Sequence, residues 1–209
     1  MVLAGIFFTS FLVALSGALM PGPLMTVCIS ESARRGARAG PQLVLGHGLL
    51  EIALAAALFF GLAAYVRNDR FMGLVGIVGG VILIFMAVGM LKGAASLTLS
   101  ASGQKSSGIH PVLAGAVVSL ANPYWIIWWA TIGLGYILIS MKSGLPGVAA
   151  FLTGHILADA LWYGFLSVSV TMGRRFISDR LYRGVIMGCG VFLLGFGLYF
   201  GAAGFRTFL

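Results

Sequence analysis

The segment Gly46-His47-Gly48-Leu49-Leu50-Glu51, residues 46–51, places a histidine four residues before an acid inside a long apolar run. The same spacing recurs in the second half of the chain in Gly154-His155-Ile156-Leu157-Ala158-Asp159, residues 154–159. Because the chain contains only three histidines and five acidic residues, two matched pairs of this kind are hard to obtain by chance. We therefore predict that the chain consists of two repeats of one unit.

The match between the two halves extends beyond these pairs. The shift in numbering that relates Gly46 to Gly154 also maps Gly76, Gly80, Gly89 and Gly93 onto Gly184, Gly188, Gly197 and Gly201. A slightly smaller shift relates Pro21-Gly22-Pro23 to Asn122-Pro123, which indicates an insertion of several residues between these elements. The predicted units are residues 1–93 and 111–209, joined by a flexible, cytoplasmic, serine- and glycine-rich linker at 94–110.

The composition identifies the medium in which the chain folds. Of the 209 residues, 60% are hydrophobic and 9% are charged, whereas soluble domains carry about 25% charged residues. Six apolar segments are long enough to cross a bilayer, which takes about 20 residues. They are 2–30, 42–66, 71–91, 112–140, 147–172 and 184–203. These segments do not alternate with a period of two, so we predict an all-α integral membrane protein with six transmembrane helices.

The number of spans in each repeat determines how the two repeats are related. Three spans are an odd number, so the second repeat must enter the membrane from the opposite side. Inverted repeats are a common transporter architecture, in which the binding site lies near the membrane midplane between the halves. Helices interrupted at matching positions form that site. The sequence therefore predicts a transporter site between residues 1–93 and 111–209.

The basic residues predict the orientation in the cytoplasmic (inner) membrane. With the N-terminus outside, nine basic residues lie on the inner side: Arg34, Arg35, Arg38, Lys92, Lys105, Arg174, Arg175, Arg180 and Arg183. Four lie on the outer side: Arg67, Arg70, Lys142 and Arg206. Since cytoplasmic loops carry the excess of Lys and Arg, we expect both termini on the outer face. The same rule accounts for the net charge of +8, so we predict no nucleic-acid partner.

Prolines predict a break in the first and fourth helices. Proline lacks the backbone N–H and clashes with the preceding turn, so Pro21-Gly22-Pro23 and Asn122-Pro123 should interrupt their helices. Backbone groups freed at membrane depth must face protein or water, and the ends of half-helices can bind charge. We expect a cavity at the two breaks, although simple kinks would have the same sequence signature. The predicted substrate-binding residues are Pro21, Gly22, Pro23, Asn122, Pro123 and Tyr124.

The ionisable residues within the spans are the other candidate functional groups. His47, Glu51, His155 and Asp159 are costly to bury, so a functional role is the first hypothesis. Each histidine shares a helix face with its acid, one turn apart. Histidine titrates near neutral pH, so the four side chains could relay protons for ion coupling. They could also bind a divalent cation. A third interpretation is that each pair only stiffens its own helix.

Other residues carry weaker expectations. The glycines spaced four residues apart should pack the third and sixth helices, or else form a homodimer interface. Trp125, Trp128 and Trp129 are expected to pack or to form an interfacial belt, with a cavity-lining role as the alternative. Cys28 and Cys189 lack the spacing of a redox motif and are expected to be ordinary thiols. We find no phosphate-binding loop, hydrolase triad or metalloprotease motif, so we predict neither an enzyme nor a cofactor.

Several of these motifs resemble those of a known family. Pro21-Gly22-Pro23, the basic loop Arg35-Gly36-Ala37-Arg38-Ala39-Gly40 and Gly46 resemble the first repeat of the lysine-exporter (LysE-type) family. Ala121-Asn122-Pro123 resembles the Asn-Pro signature of its second half. Leu24, His47 and Tyr124 depart from the family pattern, in which Asn, Asp and Lys are common at these places. The resemblance implies export of amino acids and related small solutes from the prokaryotic cytoplasm, driven by a proton or ion gradient.

The sequence thus leads to three functional hypotheses. The first is a secondary exporter, an antiporter of amino acids or similar small solutes, with the substrate carboxylate at the helix breaks. In it, Glu51 and Asp159 carry the coupling proton. The second is a divalent-metal exporter with His47, Glu51, His155 and Asp159 as ligands. The third is an electron carrier that cycles Cys28 with Cys189 and would form a disulfide under oxidation.

Overall fold

The structure is a computed structural model that describes residues 2–19, 22–62, 65, 68–94, 109–173, 176 and 178–209. Within these ranges the chain is helical and contains no strand, which confirms the predicted all-α class. The α-helices are α1 Val2–Ala18, α2 Pro23–Arg35, α3 Ala39–Ala57, α4 Asp69–Ala94, α5 Pro111–Leu120, α6 Pro123–Trp128, α7 Leu134–Ser140, α8 Gly144–Gly173 and α9 Asp179–Arg206. A π-helical turn, Leu58–Leu62, follows α3, and a second, Trp129–Gly133, joins α6 to α7.

The described residues contain fewer helices long enough to cross a membrane than the six that the sequence predicts. The described residues include 4 helices that are long and apolar enough to cross a membrane, and 5 if the bent pair α1–α2 is one span. The first and fourth predicted segments are both divided, in agreement with the predicted breaks in these two helices. The chain bends by 76° between α1 and α2, and α5 is too short to cross a membrane alone. The protein is therefore a multi-pass membrane protein with interrupted helices.

Proline and its neighbours produce both interruptions. Pro23 and Pro123 each occupy the first turn of a helix, where the missing N–H has no intrahelical partner to lose. Gly22 before α2 is extended, with φ −158° and ψ 178°. Asn122 before α6 is also in the β region, and its side-chain oxygen caps the helix by accepting from the N–H of Tyr124 at 3.1 Å. Each helix therefore restarts at its proline.

Helices α4 and α9 make the most extensive helix–helix contact, and glycines allow their close approach. A Cβ on Gly80 would lie 2.6 Å from the Gly197 carbonyl oxygen, and one on Gly76 would lie 2.9 Å from that of Phe200. The predicted packing of the third and sixth helices is confirmed at these positions. At Gly89, Gly93, Gly184, Gly188 and Gly201 an added Cβ would meet no described atom within 4 Å. A homodimer through such open positions stays a prediction.

Two further helix crossings depend on glycine. At the crossing of α8 and α1, Gly154 faces the backbone carbonyl of Phe7, and at that of α3 and α5, Gly46 faces the carbonyl of Val112. A Cβ on either glycine would overlap the facing carbonyl group. These crossings bring the His–acid segments of α3 and α8 to the middle of the bundle.

We expect Gly154→Ala to destabilise the protein by about 1–3 kcal/mol, because a Cβ at this site overpacks the contact with α1. Gly164→Ala, on the same helix, is the matched control, since its Cβ would meet no described atom within 4 Å. That control should be neutral or stabilising by up to about 1 kcal/mol, the helix-propensity gain of alanine. Thermal unfolding in detergent measures both. Equal midpoints for the two variants would contradict the proposed crossing.

Several predicted residues lie outside the described ranges. These are Pro21, Arg67, Arg174, Arg175 and residues 95–108 of the predicted linker. The end of the linker is described, and there the Arg35 Nη2 atom donates to the backbone carbonyl of Ile109 at 3.0 Å.

Candidate functional site

The four buried ionisable side chains of the spans converge on one point. His47 Nε2 lies 3.1 Å from Glu51 Oε1, and His155 Nε2 lies 3.0 Å from the same oxygen. Asp159 Oδ2 lies 3.8 Å from His47 Nε2 and 3.7 Å from His155 Nε2. All four residues are buried, and Glu51 is only 1% exposed. The two pairs, which come from opposite halves of the sequence, thus form one cluster of two histidines and two carboxylates.

Two tryptophans hold the carboxylate of Glu51. The indole N–H of Trp129 donates to Glu51 Oε1 at 3.2 Å, and that of Trp125 donates to the same atom at 3.4 Å. Their spacing of four residues on the helix that follows Asn122-Pro123 aims both indoles at one point. An oxygen that receives two indole N–H groups and faces two histidine nitrogens is best described as ionised, with the protons on the donors. Glu51 Oε2 is buried and has no hydrogen-bond partner among the described residues.

The two histidines of the cluster differ in their second ring nitrogen. His47 Nδ1 lies 2.7 Å from the hydroxyl of Ser119 on α5. That hydroxyl donates its single proton to the Gly115 carbonyl at 2.7 Å, so it accepts from His47 Nδ1–H. His155 Nδ1 is also buried but has no partner among the described residues. The hydrogen-bond network therefore makes His47 Nδ1 a donor. It does not determine whether His155 Nδ1 is a donor or an acceptor.

The cluster lies on the wall of a cavity of about 580 Å³. Gly22, Pro23, Asn122, Pro123 and Tyr124 line this cavity, so the described members of the predicted substrate-binding set meet at one place. His47, Glu51, His155 and Asp159 line it too. The sixth predicted binding residue, Pro21, lies outside the described residues. Most of the remaining wall is aromatic or apolar: Leu24, Met72, Ile127, Trp128, Tyr163, Phe196, Tyr199 and Phe200.

The N-terminus of α2 offers backbone donors to this cavity. The first intrahelical bond of α2 runs from Thr26 N–H to the Gly22 carbonyl at 3.0 Å. The N–H groups of Leu24 and Met25 precede that bond, and Gly22 provides no side-chain cap. A helix N-terminus of this kind favours an anion through its N–H groups and its dipole. The end of α6 is different, because Asn122 already caps it.

Among the described residues, the lining of the cavity reaches one end of the bundle. Its lining includes Asp69, where α4 begins, and Thr207, which follows the end of α9. At the opposite end α2 and α8 are joined through serines: Ser32 Oγ donates to Ser167 Oγ at 2.8 Å. Ser167 Oγ donates in turn to the Ala37 carbonyl at 2.9 Å. Small polar side chains therefore close the end away from the cavity.

Two expectations about other residues are tested by these contacts. For Trp125, Trp128 and Trp129 the structure favours the cavity-lining alternative over packing or an interfacial belt, because all three line the cavity and two donate to Glu51. Sequence reasoning also missed Ser119.

Both cysteines are free thiols, and Cys28 Sγ contacts Ser32 Oγ and the Tyr163 carbonyl at 3.7 and 3.8 Å. The electron-carrier hypothesis thus stays a prediction.

The donor set has the chemistry of two kinds of site. Nitrogen and carboxylate ligands suit a divalent transition metal, and ligand atoms of His47, Glu51 and Asp159 lie within 4.8 Å of one another. The same four side chains can also hold and pass a proton, because each histidine nitrogen facing Glu51 Oε1 is within hydrogen-bond distance. The two indole N–H groups on Glu51 fit the proton site better, since they occupy lone pairs that a metal would use.

Comparison with known proteins places this architecture in a family. Residues 15–204 match the family model described as LysE type translocator. The chain is 30% identical over 197 residues to the "Chemotactic transduction protein ChpE" of Pseudomonas aeruginosa, with 91% of this chain and 94% of that protein covered. It is 23% identical over 207 residues to the "Putative amino acid efflux protein YcgF" of Bacillus subtilis, with coverages of 98% and 99%.

A third relative, an uncharacterised membrane protein of Pseudomonas aeruginosa, is 26% identical over 204 residues, which is 92% of this chain and 93% of that protein. No solved structure gives a significant match. The family model covers most of the chain, including both helix breaks and all four residues of the cluster. The multi-pass membrane protein described above therefore belongs to the LysE type translocator family.

Proposed function

We propose that this protein is a proton-coupled antiporter that exports amino acids or similar small zwitterions across the cytoplasmic membrane. The observation that carries the proposal is the meeting of the two helix breaks and the four-residue cluster on one cavity wall. The name of the Bacillus subtilis relative, an amino acid efflux protein, agrees with this substrate class. A small solute thereby gains a charged binding site next to a set of proton carriers.

We further propose that residues 1–93 and 111–209 are inverted repeats joined by the linker at 94–110. Matched crossings support this relation. Gly46 of α3 faces Val112 of α5, as Gly154 of α8 faces Phe7 of α1. The two crossings are equivalent if α3 corresponds to α8 and α5 corresponds to α1. Gly46 then corresponds to Gly154, and Val112 corresponds to Phe7.

A second pair of contacts obeys the same two shifts in numbering. Gly115 of α5 faces the Leu43 carbonyl of α3, and the Ser10 hydroxyl of α1 donates to the Phe151 carbonyl of α8 at 2.7 Å. Leu43 precedes Gly46 by the same interval as Phe151 precedes Gly154, and Ser10 follows Phe7 as Gly115 follows Val112. Such agreement between independent contacts is expected if α1 and α5 are equivalent elements of two repeats.

The two repeats differ in the number of residues on each side of the break. The shift that matches Phe7 to Val112 would match Ala18, the last residue of α1, to Pro123. The helix that restarts after the break in the first repeat begins only at Pro23. The insertion predicted from sequence lies after the break, between Pro123 and Gly154 of the second repeat. The first repeat is longer before the break, in the connection between Ala18 and Pro23. We propose that this longer loop leaves the α2 N-terminus uncapped for substrate.

The binding of a zwitterion follows from the charges around the cavity. Its carboxylate would lie at the N-terminus of α2, near the N–H groups of Leu24 and Met25. Asn122-Pro123 and Tyr124 would border the same group from the opposite repeat. Its side chain would contact the aromatic wall, where apolar area is removed from water at about 25 cal/mol per Å².

The coupling proton would be held in the cluster. His47 Nδ1 donates to Ser119, so its contact with Glu51 Oε1 requires a second proton, on Nε2. Asp159 Oδ2 lies 3.8 Å from that nitrogen, beyond hydrogen-bond distance, and would receive this proton when the two side chains move closer. Exchange of the proton for substrate would couple export to the proton gradient.

Access to the two sides of the membrane would alternate. We propose that both termini lie outside, as the basic residues predict, so that the cavity near Asp69 opens outward. The Ser32–Ser167 contact then closes the cytoplasmic end. Export would require the reverse arrangement, with this contact broken and the outer end closed.

Efflux from proteoliposomes tests the proposal. Vesicles containing the purified protein are loaded with one radiolabelled amino acid at a time, and the external pH is lowered. We expect accelerated efflux of at least one amino acid, abolished by a protonophore. If none of the amino acids leaves faster than from protein-free vesicles, the proposed function is wrong.

A divalent-metal exporter is the second candidate, favoured by the ligand atoms of His47, Glu51 and Asp159 lying within 4.8 Å of one another. Calorimetry with zinc or cadmium tests it. Binding that is present in the intact protein and lost in His47→Ala and His155→Ala would support metal export. We expect no such binding, because Trp125 and Trp129 occupy Glu51 Oε1.

A further inference from the structure

The two histidines of the cluster have equivalent places in the proposed repeats but different neighbours. His47 has the hydroxyl of Ser119 at its Nδ1 atom, 2.7 Å away. The shift in numbering that relates Ser10 of α1 to Gly115 of α5 also relates Ala14 to Ser119. Ala14 is 3% exposed and lines the cavity together with His155. In the proposed repeats, Ala14 therefore has the place relative to His155 that Ser119 has relative to His47.

The helix that carries Ala14 presents small residues to the cavity that His155 also lines. Ala14, Gly17 and Ala18 lie on one face of α1 at helical spacing, and all three line the cavity. His155 is 5% exposed, and its Nδ1 atom has no hydrogen-bond partner among the described residues. A buried polar atom without a partner is unfavourable, because it has lost its hydrogen bonds to water without replacement. A ligand that supplies the missing partner here would recover that cost.

The protonation state of the His155 ring determines whether Nδ1 pairs with a donor or with an acceptor group of a ligand. Glu51 Oε1 accepts from two indoles, so the proton in its 3.0 Å contact with His155 belongs to Nε2. In its neutral form with the proton on Nε2, His155 carries a lone pair on Nδ1 and is an acceptor there. The matching ligand group is a donor. The nearby oxygens Glu51 Oε2 and Asp159 Oδ2 also have no hydrogen-bond partner among the described residues. With both carboxylates ionised, their two negative charges exceed the single positive charge of doubly protonated His47, which favours a cationic donor.

We propose that His155 Nδ1 binds the ammonium group of the transported amino acid, which takes the place that the Ser119 hydroxyl has beside His47. Ala14 is the specificity-determining residue, because its small side chain leaves this place open. The inference rests on the proposed function and assigns the substrate group that α2 does not bind. It also names the substrate class as amino acids with a free primary ammonium and an apolar side chain, since the rest of the wall is aromatic.

Nitrogen-15 NMR of the histidine rings tests the proposal without transport. The chain contains three histidines, His47, His110 and His155, so the spectrum is small enough to assign with single variants. The probes are leucine, isoamylamine, which lacks the carboxylate, and 4-methylpentanoate, which lacks the ammonium. We expect leucine and isoamylamine to shift the His155 Nδ1 signal and 4-methylpentanoate to leave it unchanged. A shift with 4-methylpentanoate alone, or no shift with any probe, would overturn the proposal.

Ala14→Ser is the decisive variant, because its hydroxyl would occupy the ammonium position. We expect the concentration of leucine needed for half the NMR shift to rise at least about tenfold, the effect of one lost hydrogen bond to a charged group. Ala4→Ser, on the exposed part of the same helix, is the matched control and should leave it unchanged. Equal leucine binding in the two variants would contradict the role of Ala14.

If Ala14→Ser does not fold, Ala14→Gly keeps the position open and should retain the His155 response. A wild-type protein that binds leucine at His155 but moves no amino acid would leave this site intact and refute export. A protein that exports amino acids without any His155 response would refute the site and leave export intact.

Discussion

We expect the Glu51→Gln, Asp159→Asn double variant to lose proton-driven amino-acid efflux by about 100-fold or more. Glu51 is the acceptor for two indoles and faces both histidine nitrogens, so its charge holds the cluster together. Hydrogen bonds to charged groups contribute about 1.5–3 kcal/mol each, and about 1.4 kcal/mol corresponds to a factor of 10. Neither replacement side chain can carry a proton at neutral pH. Efflux from loaded proteoliposomes under a pH gradient measures the effect.

Two acids of the same chain provide matched controls for this variant. Asp69→Asn changes an exposed acid at the mouth of the cavity, and Glu31→Gln changes an acid paired with Arg34 and Arg35 at the other end. Both should keep the dependence of efflux on the pH gradient. Unchanged coupling in the Glu51→Gln, Asp159→Asn protein would exclude these two residues as the proton carriers.

A disulfide between α2 and α8 should stop transport completely. The Ser32 and Ser167 hydroxyl oxygens are 2.8 Å apart, so cysteines at both positions lie close enough to form a disulfide. Cys28 lies 3.7 Å from Ser32 Oγ and must first be replaced, as must Cys189. The bond would hold the cytoplasmic end closed, which the proposed cycle cannot tolerate. Efflux should vanish on oxidation and return when a reductant is added.

The single variants Ser32→Cys and Ser167→Cys are the controls for this experiment. Neither can form the bond, so oxidation should leave their efflux unchanged. Mass spectrometry confirms the linkage in the double variant. A fully cross-linked protein that exports at the rate of the reduced one would refute opening at this end.

The cluster itself could be predicted from sequence, and the reason is geometric. A histidine and an acid four residues apart share a helix face, and a duplicated pair in an inverted repeat meets across an axis. His47, Glu51, His155 and Asp159 do converge, with contacts of 3.0–3.8 Å. The helix breaks at Gly22-Pro23 and Asn122-Pro123 could also be predicted, because proline has a local effect on the helix in which it lies.

The partners of the cluster could not be predicted in the same way. Whether Trp125 and Trp129 face Glu51 depends on the direction in which α6 restarts after Asn122, and on the π-helical turn Trp129–Gly133 that follows. Neither the direction of α6 nor the geometry of the π-helical turn is encoded by a periodic pattern in the sequence. Ser119 reaches His47 only because α3 and α5 cross closely, with Gly46 against the Val112 carbonyl. Close approaches of this kind depend on tertiary packing.

Within the described residues, length and hydropathy identify only 4 of the six predicted spans, or 5 with the bent pair, for a related reason. Hydropathy detects an apolar run whether or not the helix within it is continuous, so 2–30 and 112–140 read as single spans. The chain instead bends by 76° between α1 and α2, and α5 ends at Leu120 before Pro123. The feature that hydropathy misses is thus the one that opens the cavity.

Proton movement driven by an amino-acid gradient tests the central claim most directly. Proteoliposomes are loaded with leucine and a pH-sensitive dye and then diluted into leucine-free buffer of equal pH. We expect outward leucine flow to draw protons in, so the lumen acidifies in the wild type and not in the Glu51→Gln, Asp159→Asn variant. Leucine efflux without any change of lumenal pH in the wild-type protein would contradict proton-coupled export.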